Sequence, residues 1–589
     1  MSIRERTLFV GGLTVLLILA ALLRFYHLGV PAYDCDELYS LRIQGLSPKS
    51  IASVVGRSVF HDLHPPLSYL VYMVWIALFG TAEVAVRSLP LLLGLVSVAL
   101  IGLIGRRIGG TWVGLAAAAL MAFNPFHIAY SQEARSYALA VALTIASHFF
   151  LLRSLREASA RNLTVYALLL VAAIYTHYFA LLALLSHGFI ASWALLTGDE
   201  GSRRAARSTL LTFGCAMATY IAWLPALVFQ ASGSPEGASL DYLASDSPLT
   251  RAGGFLRDVA GLGPSPYLLP TTAALLALLA FAFLCRERLP AAAESGPASV
   301  PPRWLGFLLL VAAVLIAVGV PLVAPVHLFP QARQVLLSEG YSPADIEREL
   351  QGLMQFAISI PLALGAIGLV ILGWRWLSSL LARLPRRGAG RPLAVNALLA
   401  GLLLVPLAVV LALALKGVPL LSDRNLLVCE APLTLALGVG AAKLAQTRWG
   451  RLALVPLLLV LAVGRFQYQP ISGVFGVAGK PLGMQTGAWR DLVRELDRRG
   501  GHDLPLVMVD APRSDPAEFY LSDRPVKRIV ESDPIARVRL PEEFRFVHLK
   551  GNRDSEALRS KMAGVASLQP RFQVDEFVIY DARSLPPRM

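Results

Sequence analysis

The sequence predicts a polytopic α-helical membrane protein of about thirteen spans, closed by a small C-terminal α/β domain on the extracytoplasmic side. Three observations carry this. Of 589 residues, 56% are hydrophobic and only 16% are charged, against roughly 25% charged in soluble domains. Apolar runs near the length of a membrane crossing recur from residue 8 to about residue 465, as a bundle of spanning helices requires. The loops between them sort by chemistry. Alternate loops are rich in Arg, and the others carry Asp, Glu, His, Tyr and Pro, which sets the Arg-rich loops in the cytoplasm.

The first run, 8–23, follows Arg4 and Arg6 and leads into Arg24-Phe25-Tyr26-His27 instead of a small-residue cleavage site. It reads as a retained anchor that exits to the outer side. The polar loop 25–66 is then extracytoplasmic. Residues 67–80 are apolar but short for a crossing, and are expected to lie along the outer surface with Tyr69, Tyr72 and Trp75 at the interface. Run 86–105 comes in to Arg106 and Arg107, 110–126 goes out, and 134–152 comes in to Arg153, Arg156 and Arg161. Run 162–176 goes out, 179–197 comes in to Arg203, Arg204 and Arg207, and 208–229 goes out to a polar loop, 231–262. Runs 267–285, 304–324, 355–374, 393–415, 426–446 and 452–465 continue the alternation, with an amphipathic helix expected over 344–353. Were 67–80 to cross, every later loop would invert and the arginines would face outward, against the orientation rule.

From residue 466 the composition changes. A charged helix is predicted over 487–501, buried strands over 504–509, 544–549 and 572–580, and a helix over 555–568. The predicted division is a membrane part, 1–465, with its outer loop at 25–80, and an extracytoplasmic α/β domain, 466–589.

The net charge of +14 resides largely in short loops between apolar runs, so no nucleic-acid partner is expected. Cys35, Cys215, Cys285 and Cys429 form no metal-type spacing. Cys215 and Cys285 lie in apolar runs and read as small hydrophobes. Cys35 and Cys429 fall on the same predicted side, and the sequence leaves a bond between them open.

Five outward-facing stretches carry chemistry. Asp36-Glu37 supplies carboxylates suited to taking or orienting a hydroxyl proton; the plain alternative is a pair of solvated acids at a helix start, with Asp36 as its cap. His61-Asp62-Leu63-His64-Pro65-Pro66 sets two imidazoles and an acid ahead of a backbone-locking double proline. His61, Asp62 and His64 are the one divalent-metal set the spacing offers, though that spacing is generic, and no cofactor is expected. Glu133-Ala134-Arg135 lies between two runs, either as a salt bridge closing a hairpin or as a second acid and a phosphate-binding cation, since the guanidinium fork suits phosphate. Thr176-His177-Tyr178 and Asp423-Arg424-Asn425 are further outward ends, and Arg424 departs from the inside bias in a way that suits an anion ligand. There is no Gly-rich phosphate loop and no dinucleotide fingerprint. A donor on the outer side would be carried by lipid.

The order and sidedness of Asp36-Glu37, His64-Pro65-Pro66-Leu67-Ser68-Tyr69 and Glu133-Ala134-Arg135-Ser136-Tyr137-Ala138-Leu139 resemble the GT-C glycosyltransferases, the superfamily of the protein O-mannosyltransferases and the lipid A aminoarabinose transferases. The resemblance covers residues 7–200 well and the Asp423-Arg424-Asn425 region weakly. It implies a GT-C-like integral membrane glycosyltransferase of the cell membrane. Such an enzyme moves a hexosyl or pentosyl unit from a polyprenyl-phosphate donor to a glycan, lipid or protein acceptor at the extracytoplasmic face. By this resemblance Asp36 is the base, Glu37 supports it, and Glu133 is the second acid. Arg135 and Arg424 hold the donor phosphate, and His61, Asp62, His64, Tyr69, Tyr137, His177 and Tyr178 line the substrate. The aminoarabinose branch typically has Lys where this chain has His64, so no fixed charge is implied there. The alternative is a transporter or flippase of a lipid-linked saccharide, which should place polar residues near the bilayer midplane on broken helices of related halves.

Overall fold

A computed structural model describes residues 3–44 (27 and 34 apart), 64–231, 303–323, 360–374, 394–415, 429–446, 488–499, 504–509, 520–521, 525–529, 540–549, 553–574 and 577–585, with short pieces between. The described elements of the N-terminal part are helices: α1 (Ile3–Phe25), α2 (Cys35–Gln44), α3 (Leu67–Phe79), α4 (Glu83–Gly109), α5 (Thr111–Ala122), α6 (Pro125–Tyr130), α7 (Tyr137–Arg156), α8 (Ala160–Ile174), α9 (Tyr178–Thr197), α10 (Glu200–Ala218) and α11 (Leu224–Ala231). Three more described helices, α12 (Arg303–Val323), α13 (Val395–Leu415) and α14 (Glu430–Leu444), belong to the same part. Six of the described helices are long and apolar enough to cross a membrane: Ile3–Phe25, Glu83–Gly109, Tyr137–Arg156, Tyr178–Thr197, Glu200–Leu227 and Val395–Ala412. The predicted loop 231–262 and the last run, 452–465, lie outside the described residues or nearly so.

Three local expectations are corrected. The run 110–126 is two helices. Asn124 accepts the Phe126 N–H at 3.1 Å and Pro125 follows it, a cap and a first-turn proline that start α6 afresh. The arginines 203, 204 and 207 lie on a helix and not in a loop, because Asp199 caps α10 through the Ser202 N–H at 2.7 Å. Helix α3 does not turn Tyr69, Tyr72 and Trp75 outward together. Tyr69 and Tyr72 are buried against α2 and α4, and Trp75 donates Nε1–H to the Ala85 carbonyl at 2.8 Å. The exposed side of α3 is Val74, Leu78 and Phe79.

The turn from α4 to α5 is built on glycine. Gly110 sits at φ 88°, open to glycine alone without strain. A Cβ at Gly114 would stand 2.5 Å from the Gly102 carbonyl oxygen, so the two helices cross as closely as small residues allow. Deeper in the bundle Tyr166, His187 and His148 link α8, α9 and α7 through contacts of 3.0 and 2.6 Å.

The two ends of this bundle differ. At one end Arg106 lies over the Phe9 ring at 4.3 Å and Arg107 over the Phe149 ring at 4.5 Å. These contacts gather the start of α1 with the C-terminal ends of α4 and α7. The opposite ends of the same three helices surround α2 and the acidic loop.

Past residue 466 the described chain forms a five-stranded sheet, β1 (Leu506–Val509), β2 (Val526–Ile529), β3 (Glu543–Leu549), β4 (Ala566–Val574) and β5 (Phe577–Ser584), with α15 (Ala488–Arg498) and α16 (Arg553–Met562). Strand order is β2-β1-β3-β5-β4. β1 is parallel to β2 and β3, and β5 is antiparallel to β3 and β4. Alternation of side chains along the strands gives the sheet two apolar faces. Leu506, Met508 and Phe577 pack with Trp489 and Leu492 of α15, while Val507, Phe544 and Phe546 pack with Leu558 and Met562 of α16. The predicted strand 572–580 is a hairpin, since Phe572 pairs with Ile579 and Val574 with Phe577. The predicted helix 555–568 stops at Met562, ahead of Gly564, a poor helix residue. Strand β2 was not expected: Val526-Lys527-Arg528-Ile529 has no period of two.

Candidate active site

The acidic loop is assembled by one arginine. Arg87, in the first turns of α4, donates Nε–H to Glu37 Oε1 at 2.9 Å and Nη2–H to Glu37 Oε2 at 2.6 Å. The same guanidinium donates to the carbonyls of Leu28 at 3.1 Å, Pro31 at 2.7 Å and Ala32 at 3.0 Å. The two side chains are 5% and 3% exposed, so the chain between α1 and α2 is wound around a buried, bidentate ion pair. Glu37 and Asp36 both stand in the first turn of α2, where the helix dipole favours negative charge. Glu37 points in and is buried, and Asp36 is half-buried beside it.

The Glu133-Ala134-Arg135 turn closes on this loop. The Ala134 N–H donates to Glu37 Oε1 at 2.8 Å. Arg135 Nη1 donates to the Asp36 carbonyl at 3.0 Å and to Ser40 Oγ at 2.6 Å. The Tyr72 hydroxyl donates to the Arg135 carbonyl at 3.3 Å. Two motifs about a hundred residues apart in sequence thus form one hydrogen-bonded unit, with Glu133 and Arg135 both buried.

Beside it lies an imidazole and phenol group. The His64 and His177 rings are 4.9 Å apart, and Tyr137 is 5.5 Å from His177. His177 caps α9, its Nδ1 accepting the Phe179 N–H at 3.2 Å. Burial first, then the nearby His64 and Arg135, hold its pKa well below 6.5. The ring is therefore neutral at neutral pH, with its proton on Nε2, which is buried without a hydrogen-bond partner among the described residues. Tyr178 accepts from Trp223 Nε1 at 2.9 Å and donates to Gln230, whose amide donates to the Ser58 carbonyl at 2.9 Å. Tyr69 packs with Val54 and Tyr39. His61, Asp62 and Arg424 lie outside the described residues. Two of the three predicted metal ligands are among them, and among the described residues no group of three His, Cys, Asp or Glu stands ready to hold a metal. Cys429 is a free, buried thiol, so it is not bonded to Cys35.

The sequence reading passed over several residues of this region. Arg87 is the plainest. It is an arginine at the outer end of a predicted span, an exception to the inside bias of the same kind that drew attention to Arg424. Arg24 was weighed only as a cleavage-site feature. It is buried, donating to the carbonyls of Ala20 and Ala122 at 3.1 Å and lying 2.8 Å from His127 Nδ1. Nearby, Asn124 Nδ2 donates to Glu430 at 2.5 Å, which ties the start of α14 to the turn between α5 and α6. Tyr520 reaches in from the C-terminal domain. Its hydroxyl accepts the Tyr33 N–H at 2.8 Å and donates to Glu83 Oε1 at 2.7 Å.

The fold and this cluster define a polytopic helical membrane protein whose acidic and basic turns meet at the end of the bundle away from its arginine-rich helix ends. Residues 63–229 match the family model described as dolichyl-phosphate-mannose-protein mannosyltransferase, and the resemblance to the GT-C glycosyltransferases carried by the motifs is thereby borne out. No curated protein matches by sequence. Among solved structures the chain is similar to ArnT from Cupriavidus metallidurans bound to undecaprenyl phosphate, at 13% identity and TM-score 0.43 over 97% of this chain and 98% of that one. It is similar to the oligosaccharyltransferase of Archaeoglobus fulgidus, at 11% identity and TM-score 0.39 over 87% and 62%. It is also similar to the arabinofuranosyltransferase AftD from Mycobacteria, at 14% identity and TM-score 0.38 over 97% and 41%.

Proposed function

We propose that this protein transfers a sugar from a polyprenyl-phosphate donor to an acceptor hydroxyl at the extracytoplasmic face of the cell membrane. The observation that carries the reading is the union of Asp36-Glu37 with Glu133-Ala134-Arg135 through Ala134, Arg135 and Ser40. In this reading about thirteen spans hold the arginine-rich helix ends in the cytoplasm, and the domain 466–589 stands outside.

Transfer needs two things of the protein. The acceptor hydroxyl must lose a proton as its oxygen attacks the anomeric carbon, and the departing polyprenyl phosphate must have its charge met. Asp36, the half-buried member of the pair, takes or orients the proton. Glu37 is spoken for by Arg87 and acts as a positioning residue. Glu133 is the second acid. Arg135 and Arg424 meet the phosphate, with His61, Asp62, His64, Tyr69, Tyr137, His177 and Tyr178 lining the substrate. No metal is assigned a step.

The test is sugar transfer from a polyprenyl-phosphate donor by purified protein in detergent or nanodiscs, with donor binding measured separately. Asp36→Asn keeps size and hydrogen bonding but cannot take a proton. It is expected to bind donor and lose transfer by about 10²–10⁴-fold. Transfer at the wild-type rate would remove the base from this loop, and movement of the lipid-linked sugar across vesicles would then be measured in its place.

A further inference from the structure

The acidic helix has a second anchor, and it comes from the other domain. Asp36 lies in the first turn of the ten-residue helix α2. On the membrane side Arg87 holds that turn. On the outer side the Tyr520 hydroxyl bridges the Tyr33 N–H and Glu83 Oε1. A phenol donates one hydrogen bond, and here it goes to the carboxylate, so an oxygen lone pair is left to accept from the Tyr33 N–H. The packing is exchanged in the same place. Tyr520 packs against the cluster of Tyr33, Leu38 and Tyr72 under α2, while Ala32 is buried in the C-terminal core with Trp489 and Leu521. The backbone at Ala32 and Tyr33 therefore belongs to both domains, and Asp36 follows within one helical turn.

We propose that Tyr520 is a positioning residue for transfer: the C-terminal domain sets the place of Asp36 by holding the backbone at Tyr33. This rests on the transferase reading above. A shift of the outer domain is passed to the start of α2, and displacement of a catalytic group by about 1 Å can cost 10²-fold. The neighbours that fix the phenol are Tyr33 and Glu83, both outside the spans' interior. Burial, with Glu83 beside it, raises the phenol's pKa above its ordinary range, so the donor to Glu83 stays protonated.

The experiment uses the full-length protein. Tyr520→Phe keeps the ring in its packing and removes both hydrogen bonds. It is expected to lower kcat about 10- to 100-fold per donor-binding site, with KM for the donor unchanged. It should also speed hydrogen exchange at the amides of residues 28–44, Tyr33 first. Glu83→Gln, which still offers the phenol an oxygen, should keep exchange slow at Tyr33 and hold kcat well above that of Tyr520→Phe. Wild-type kcat in Tyr520→Phe overturns the proposal, whether or not exchange changes. Lower melting temperature with kcat per binding site unaltered also overturns it, because the contact is then only structural. If the wild type itself transfers no sugar, the transferase reading fails. The exchange measurement still decides whether Tyr520 holds the loop: unchanged protection of 28–44 in Tyr520→Phe would end the proposal by itself.

Discussion

Replacing Arg87 with Met tests how the acidic loop is held. To the described residues the guanidinium makes five hydrogen bonds within 3.1 Å: two to the Glu37 carboxylate and three to the carbonyls of Leu28, Pro31 and Ala32. With the two side chains 5% and 3% exposed, no water is at hand to replace it. Arg87→Met leaves the Glu37 carboxylate buried without its cation, a change that typically costs about 3–5 kcal/mol. It also strips three carbonyls of a charged donor, so the upper end of that range is expected. Glu37→Gln is milder, about 1–3 kcal/mol, because the amide oxygen still accepts from Arg87 and the three carbonyl contacts survive. Removing both charges together, in Arg87→Met with Glu37→Leu, should recover part of the loss, since the cost of breaking such a pair lies mainly in the charge left behind. Thermal unfolding in detergent and amide exchange across residues 28–44 read the three variants. An Arg87→Met protein as stable as the wild type, or a Glu37→Gln protein less stable than Arg87→Met, would refute the account of the loop as wound around a buried ion pair.

Other outcomes follow from the same geometry. Arg135→Ala should weaken donor binding at least about tenfold, as expected for loss of a charge-assisted contact. Arg135→Lys should restore it only in part: Nη1 alone makes the contacts to the Asp36 carbonyl and Ser40, which an ammonium can replace, but an ammonium lacks the planar fork that suits phosphate. Normal donor affinity in Arg135→Ala would make this arginine structural only. His177→Asn keeps a side-chain acceptor for the Phe179 N–H, and His177→Ala does not; the Ala variant alone should lose about 0.5–2 kcal/mol of stability, while both lose the buried Nε2–H and with it substrate affinity. Equal stability in the two variants would dismiss the capping role. Stability should fall as pH drops below about 6.5. Burial depresses the folded-state pKa of His177, so the unfolded chain binds a proton that the folded one refuses, and folding stability rises with pH through that window. A His177→Asn protein with the same slope of stability against pH would place the effect elsewhere.

The sequence by itself determined the membrane class, the order of the helices and the order of the motifs. Composition and the period of apolar runs are summed over many residues, so a local irregularity such as the break at Asn124-Pro125 shifts a boundary without changing the class. The polar stretches were legible because Asp, Glu and His are costly in lipid and stand out against apolar runs. What the sequence did not determine is which of these polar groups touch. Asp36-Glu37 and Glu133-Ala134-Arg135 read as two separate acidic motifs, each with a bland alternative. Only the packing of α2 against α4 and the turn before α7 makes them one unit. The same packing pairs Glu37 with Arg87 and turns Tyr69 and Tyr72 inward. In the C-terminal domain the strand alternation was readable, but the hairpin in 566–584 and the short strand β2 were not, since strand pairing is settled by partners distant in sequence. Tyr520 left no trace at all in the sequence. Its meaning lies in the Tyr33 N–H and the Glu83 carboxylate, more than four hundred residues away, and a contact of that separation exists only once the chain has folded.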